Sequence, residues 1–291
     1  MVSALTLERY TNAADLFSRW ARKHRSGKRL RSGAAVDRAV SDYIEFLWSR
    51  NAGLSNATTT LASLQHFRLW LRGELKEGWK LVHTWRREEK ANKAVPASRL
   101  VATAIASAVF EDGFVQRAAC LVSGFEGFLR GAEMSTFTSK DARLLKKRAI
   151  LRLRSTKTLG YRRADAELAV IRSPFARKLL KKAKDLATDD DAPLCGCSAS
   201  ALRSHVQRAC KRLGLHKVGF TLHSWRRGAA TEDFLRFGSM EGTLLRGRWS
   251  SNKICRDYIS EATAALADAE VGPQVKSRLR AAVARFRSAV R

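Results

Sequence analysis

In the first third of the chain, apolar residues recur at three- and four-residue steps, a spacing that only a helix gathers onto one face. Leu7, Tyr10, Ala14, Phe17 and Ala21 form one stripe, and Val36, Val40, Tyr43, Ile44 and Leu47 form a second. Leu61, Leu64, Phe67 and Leu71 form a third, behind a helix-start signal at Asn56. The polar stretch RREEKANKAVPA, from Arg86 to Ala97, interrupts the pattern, and Pro96 stops any helix running through it. It is read as the boundary between a helical N-terminal domain, residues 1–92, and a second domain that begins at 97.

Beyond the boundary, Val101, Ala104, Ile105 and Ala108 predict a helix from about Ser98, and Val115 to Phe128 predicts another. Then the period changes. Ala149–Arg154 and Ala166–Ile171 mix alternation with short apolar runs, and the basic segment STKTLGYRRAD lies between them, which reads as a β-hairpin. Ser173-Pro174, a cap followed by a first-turn proline, restarts helix as far as Leu186. Ala199–Leu213 and most of the chain from His223 on are helical in pattern. The fold class expected is mainly α with a small β-hairpin or sheet, an α+β chain.

Charge narrows the partners. Fifty-five Lys and Arg stand against 27 Asp and Glu, a formal net charge of +28. Such an excess repels itself in a compact state unless a polyanion absorbs it. Double-stranded DNA is the polyanion expected, because each neutralised phosphate releases counterions. The loop KHRSGKRLRSG offers Lys23, Arg25, Lys28, Arg29 and Arg31 for phosphate contact, and Arg203 does so from the helix after Ala199. A plain solvated loop is the alternative reading of that segment. No apolar run is long enough to span a bilayer, and MVSALTLERY lacks a signal-peptide core, so neither membrane nor export is expected. Five cysteines suit a reducing, intracellular compartment, in the nucleus or the bacterial cytoplasm. The Cys195-x-Cys197 pair has no second pair or nearby His to complete a zinc site. Neither a metal nor a small-molecule cofactor is expected.

The chemistry concentrates toward the C-terminus. His223-Ser-Trp-Arg226 is followed by Gly247-Arg248-Trp249, and Tyr258 stands nine residues after Trp249. Upstream, Arg130 is followed three residues later by Glu133, and Lys157 sits in the hairpin turn. This ordered set resembles the tyrosine recombinase (phage integrase) family. The resemblance implies a helical core-binding domain that clamps DNA (1–92), a catalytic domain (97–268), and a basic C-terminal helical tail (269–291). It also implies a site-specific recombinase or integrase that cuts and rejoins strands through a 3′-phosphotyrosine intermediate, self-associates on DNA, and often serves a mobile element.

The residue types suit that chemistry. Rejoining a phosphodiester without ATP needs a covalent intermediate, and the Tyr258 phenol is the nucleophile expected. Arg130 and Arg226 are forks able to grip the charge that grows on the non-bridging oxygens. Trp249 can donate its indole N–H but cannot take a proton. His223 is read as general base or phosphate hydrogen-bonder. The resemblance assigns Lys157 to the general acid, with Arg162 and Arg163 as neighbouring alternatives and Tyr161 as a rival nucleophile. Glu133 is expected to brace the Arg130 helix, and Trp225 to lie in the core.

Arg227 and Arg248 depart from the residues commoner at those places in the family. Val275, Leu279, Ala282, Val283 and Phe286 stripe the tail, which would suit a helix passed to a neighbouring subunit. Two other functions share these features: a catalytically silent DNA-binding protein derived from a recombinase, and a type IB-like topoisomerase.

Overall fold

The computed structural model describes residues 2–24, 30–89, 93–154 and 166–290. The chain divides into two units, Met1–Asn92 and Lys93–Arg291.

The first unit is helical. Helices α1 (Ala4–His24), α2 (Gly33–Ser49), α3 (Leu54–Phe67) and α4 (Lys76–Glu88) surround a core of Phe17, Val36, Val40, Ile44, Leu61, Leu71, Leu75 and Val82. Each such fully buried side chain contributes roughly 1.5–3 kcal/mol. The second stripe is buried throughout. The first is not: Phe17 is its only fully buried member, and Leu7 is exposed. Phe67 is exposed as well, because α3 ends there and the chain turns through a short 3-10 segment, Leu69–Leu71. Asp37 on α2 fixes the start of α4. Its buried carboxylate accepts from the amides of Glu77 and Gly78, both at 3.0 Å, satisfying first-turn donors that have no partner within their own helix.

The second unit opens with α5 (Arg99–Glu111), α6 (Val115–Glu126) and the short α7 (Gly131–Thr136). Ser98 caps α5, accepting from the Val101 amide. The strands β1 (Ala142–Leu144), β2 (Ala149–Leu153) and β3 (Glu167–Ile171) form an antiparallel sheet in the order β1-β2-β3. Ala142 pairs with Leu151, and Ile150 with Val170. The two strands of the expected hairpin are therefore β2 and β3. Their connection, residues 155–165, which carries Lys157, Tyr161, Arg162 and Arg163, lies outside the described residues. β1 was not anticipated; three residues are too few to display alternation.

Helices α8 (Pro174–Asp185), α9 (Ala199–Arg212), α10 (Leu222–Phe237), α11 (Met240–Gly247), α12 (Asn252–Tyr258), α13 (Glu261–Val271) and α14 (Pro273–Ala289) complete the unit. Trp225 is fully buried in the core, as expected. Gly228 lets α10 meet the incoming chain, because a Cβ there would lie 1.8 Å from the Ala97 carbonyl oxygen. Residues 269–291, set apart above as a tail, fall within this unit. Leu279, Ala282 and Phe286 are buried, and the Phe286 ring packs 4.9 Å from Phe110 and 5.0 Å from Phe175. The Ser107 hydroxyl donates to the Ala282 carbonyl across this contact.

Cys195 and Cys197 hold their sulfurs 3.6 Å apart as free thiols. Among the described residues no cluster of His, Cys, Asp or Glu is placed to hold a metal ion, and no helix is long and apolar enough to cross a membrane.

Candidate active site

Two turns and two helices of the second unit bring the candidate residues together. The first turn follows α6: Phe128 adopts φ +54°, and Arg130 then precedes α7. The Glu133 carboxylate reaches back to accept the Arg130 amide at 2.9 Å, capping α7. Its other oxygen accepts from the Arg130 guanidinium at 2.5 Å. An acid three residues after an arginine is thus legible in sequence as a helix start.

Glu133 does more than brace one helix. It is buried, at 1% exposure, and Arg248 also donates to it at 2.9 Å. The Arg226 guanidinium lies 4.0 Å away. One buried carboxylate therefore serves three guanidinium groups from three parts of the chain. A carboxylate shut from water requires such partners, since its unpaired burial costs far more than a hydrogen bond returns.

The Thr221 hydroxyl and Ser224 cap α10, with the Thr221 amide donating to Ser224 Oγ at 2.9 Å. His223 lies in the first turn and Arg226 one turn on. Arg226 was expected to face a phosphate, but its side chain is wholly buried. It donates to the Phe128 carbonyl at 2.5 Å and to the Gly247 carbonyl at 2.6 Å. It thus ties together the turns that carry Arg130 and Trp249.

The second turn follows α11. Gly247 is required there, because a Cβ would meet the Trp249 ring at 1.8 Å. Arg248 then adopts φ +58°, the left-handed conformation that ends many helices. Trp249 is buried between Phe128 (ring centroids 6.2 Å) and Tyr258 (4.7 Å). The Arg226 guanidinium carbon lies 4.8 Å from the Trp249 ring centroid and 5.4 Å from that of Tyr258. The Trp249 indole N–H has no acceptor among the described residues.

Tyr258 ends α12, with its ring 5.3 Å from that of His223. Its backbone is held to α10 by two side chains to which the motif pattern gave no role. Arg227 donates to the Asp257 carbonyl at 2.6 Å. The Thr231 hydroxyl donates to the Arg227 carbonyl at 2.9 Å and accepts from the Ser260 amide at 3.1 Å. The sequence signal was their spacing: Arg227 and Thr231 stand four residues apart and so share one face of α10, a different face from that of Arg226.

The electrostatics follow from burial among like charges. Desolvation, then Arg130 and Arg248, bring Arg226 down to about 10, against the pull of Glu133. It remains cationic at neutral pH. Desolvation, then Arg226, Arg227 and Arg130, lower His223 below the usual histidine range. His223 therefore stands beside the phenol as a neutral imidazole at pH 7, in the form that can accept a proton.

The structure thus gathers Arg130, Glu133, His223, Arg226, Trp249 and Tyr258 in one cluster. Lys157, Arg25, Lys28 and Arg29 lie outside the described residues. Lys23 and Arg31 are exposed on the first unit, and Arg203 is exposed on α9 of the second.

No protein-family model matches the sequence, and neither does any curated protein. Solved structures do resemble the fold. A lambda integrase tetramer bound to a Holliday junction matches with a TM-score of 0.61 and 13% identity, covering 90% of this chain and 73% of that one. Lambda integrase residues 75–356, as a dimer on a core site, match at 0.60 and 12%, covering 90% of each chain. The Tn1549 transposon integrase with circular intermediate DNA matches at 0.55 and 12%, covering 90% and 99%. At these identities the likeness establishes a shared fold.

Proposed function

We propose that this chain, which has the fold of the tyrosine recombinases, cuts and rejoins DNA strands through a covalent bond between Tyr258 and a 3′-phosphate. The observation that carries this reading is the convergence of Tyr258, His223 and Trp249 on the guanidinium groups organised by Glu133. Packing alone calls for no such assembly of cations around a phenol.

In this reading the Tyr258 oxygen attacks phosphorus as the P–O5′ bond breaks. The phenol proton passes to His223, which is the neutral imidazole able to take it, and the resulting imidazolium can then donate to a non-bridging oxygen. The departing 5′-oxygen takes a proton from a general acid, the role the resemblance assigns to Lys157. One phosphate ester replaces another, so a different 5′-hydroxyl can reverse the step without ATP. Arg130, a quarter of whose side chain is exposed, meets the phosphate directly. Arg226 lies against the Trp249 and Tyr258 rings and acts through its charge, holding the turns of Arg130 and Trp249 in place. A preorganised donor in such a site is worth ~3 kcal/mol of barrier. The exposed bases Lys23, Arg31 and Arg203 contact phosphates along the duplex, and self-association on DNA supplies the second strand.

Covalent capture tests this. The protein is incubated with nicked duplexes of randomised sequence, denatured in detergent, and the DNA that stays attached is sequenced. Tyr258→Phe should abolish attachment and retain binding. If the variant attaches DNA as the wild type does, Tyr258 is not the nucleophile. The burial of Arg226, with both terminal nitrogens on carbonyls, favours a second reading, in which the cluster is architectural and the protein binds DNA without cutting it. Salt-sensitive binding with no attachment on any duplex would select that reading. Relaxation of supercoils by a monomer, without strand exchange, would select a topoisomerase.

A further inference from the structure

Arg248 occupies a position where the backbone favours glycine, at φ +58°, yet it carries one of the longest side chains and sends it inward. Its guanidinium donates to the Gly127 carbonyl at 2.8 Å, the Phe128 carbonyl at 3.4 Å, Glu133 at 2.9 Å and Glu167 at 3.2 Å. Glu167 is the first residue of β3 and is buried in phase with Ala169 and Ile171, on the inward face of the strand. The strand leads directly out of segment 155–165, which carries Lys157. Arg248 is therefore where the Arg130 turn and the hairpin strand meet.

We infer that Arg248 is a positioning residue, which clamps Glu133 to Glu167 and so sets Arg130 toward a phosphate. This rests on the function proposed above. Only a planar fork with five N–H donors satisfies two carboxylates and two carbonyls from different directions; an ammonium is a single point. The clamp also governs how Arg130 is used. With Arg248 on one Glu133 oxygen, the Arg130 guanidinium holds only the other, and part of it stays open to an anion. Without Arg248, Glu133 would draw Arg130 further inward.

The test uses the full chain with Arg248→Leu and Arg248→Lys. Single-turnover attachment of captured duplex should slow by about 100-fold in Arg248→Leu, per folded molecule, with DNA affinity changed by less than about threefold, as for residues that orient a reacting group. Arg248→Lys should recover only part of the rate. The Arg130 amide, which donates to Glu133, should exchange its hydrogen about tenfold faster in the free variant, because its acceptor is no longer fixed. An unchanged rate, or a loss explained wholly by unfolded protein, overturns the inference. Should Arg248→Leu fail to fold, Glu167→Gln replaces it under the same criteria. Should the wild type attach no DNA at all, the proposed function fails, and exchange at Arg130 and Glu167 alone decides whether the clamp exists.

Discussion

Arg227 donates from Nη1 to the Asp257 carbonyl at 2.6 Å, one residue before the phenol of Tyr258. The nucleophile proposed is thus anchored within its own chain, through α10, rather than left on a free segment. Thr231 strengthens the anchor, since its hydroxyl bridges the Arg227 carbonyl and the Ser260 amide. Thr231→Val keeps the shape and removes the bridge. Leaving the Ser260 amide and Arg227 carbonyl without it should cost about 1–3 kcal/mol, read from urea unfolding. Attachment to DNA should slow as Tyr258 loses its fixed placement, while affinity for duplex holds.

Glu133 is the keystone of the arginine cluster. Glu133→Gln keeps the volume but removes the charge that three buried or half-buried guanidinium groups share. Breaking a buried pair at one end costs about 3–5 kcal/mol, because the stranded charges remain buried. The expected result is a large fall in melting temperature with the first unit's helices retained, seen by circular dichroism and differential proteolysis. A stability within 1 kcal/mol of the wild type, about the worth of an exposed pair, would show that Glu133 does not bear that load.

Much of this arrangement was legible in the sequence, and the exceptions share a cause. The stripe from Val36 to Leu47, the helix start near Ser98, the Ser173 cap, the paired strands and buried Trp225 all follow from local period and local hydrogen bonding. The residues that were not foreseen act across long sequence separations. Asp37 caps a helix forty residues away, and Arg248 meets Glu167 and Glu133 from far down the chain. No periodicity encodes such pairs. A signal did exist at Glu167, a carboxylate on the apolar face of a strand, which must find a cation when buried. The same limit applies to α14: its stripe was plain, but the pattern does not say whose core it fills.

That last helix yields a prediction of its own. Phe286 packs against Phe110 and Phe175 in the core of its own unit. Phe286→Ala should therefore cost about 3–5 kcal/mol by cavity formation, in dilute protein without DNA. A helix destined only for a neighbouring subunit would give a much smaller loss under those conditions. Thermal unfolding at several protein concentrations separates the two cases.

Binding should be strongly dependent on salt. With a net charge of +28, the logarithm of the association constant should fall steeply against the logarithm of salt concentration, by about 0.9 per phosphate contacted. Lys23→Ala and Arg31→Ala should each flatten that slope by about one unit if the side chain meets a phosphate. Titration of a labelled duplex over a range of salt reads the slope. A slope unchanged by either substitution would remove the first unit's exposed bases from the interface.

The pH profile follows from His223. Desolvation, then the nearby Arg226, Arg227 and Arg130, hold its folded-state pKa below the usual value near 6.5. The neutral imidazole therefore persists to lower pH than in a free histidine. A step that needs it as proton acceptor should stay level as pH falls through about 6.5 and decline only below. The same shift acts on stability. Between the folded-state pKa and the unfolded value, the unfolded chain binds more protons, so stability from this group rises with pH across that window and falls on acidification. His223→Gln should remove the acid limb and leave a slower rate that no longer varies with pH in that range. Single-turnover attachment between pH 5 and 8, in a buffer series of constant ionic strength, measures both. A limb centred above 6.5 in the wild type would mean that His223 works as the cation instead, donating to the phosphate, and that the phenol proton leaves by another route.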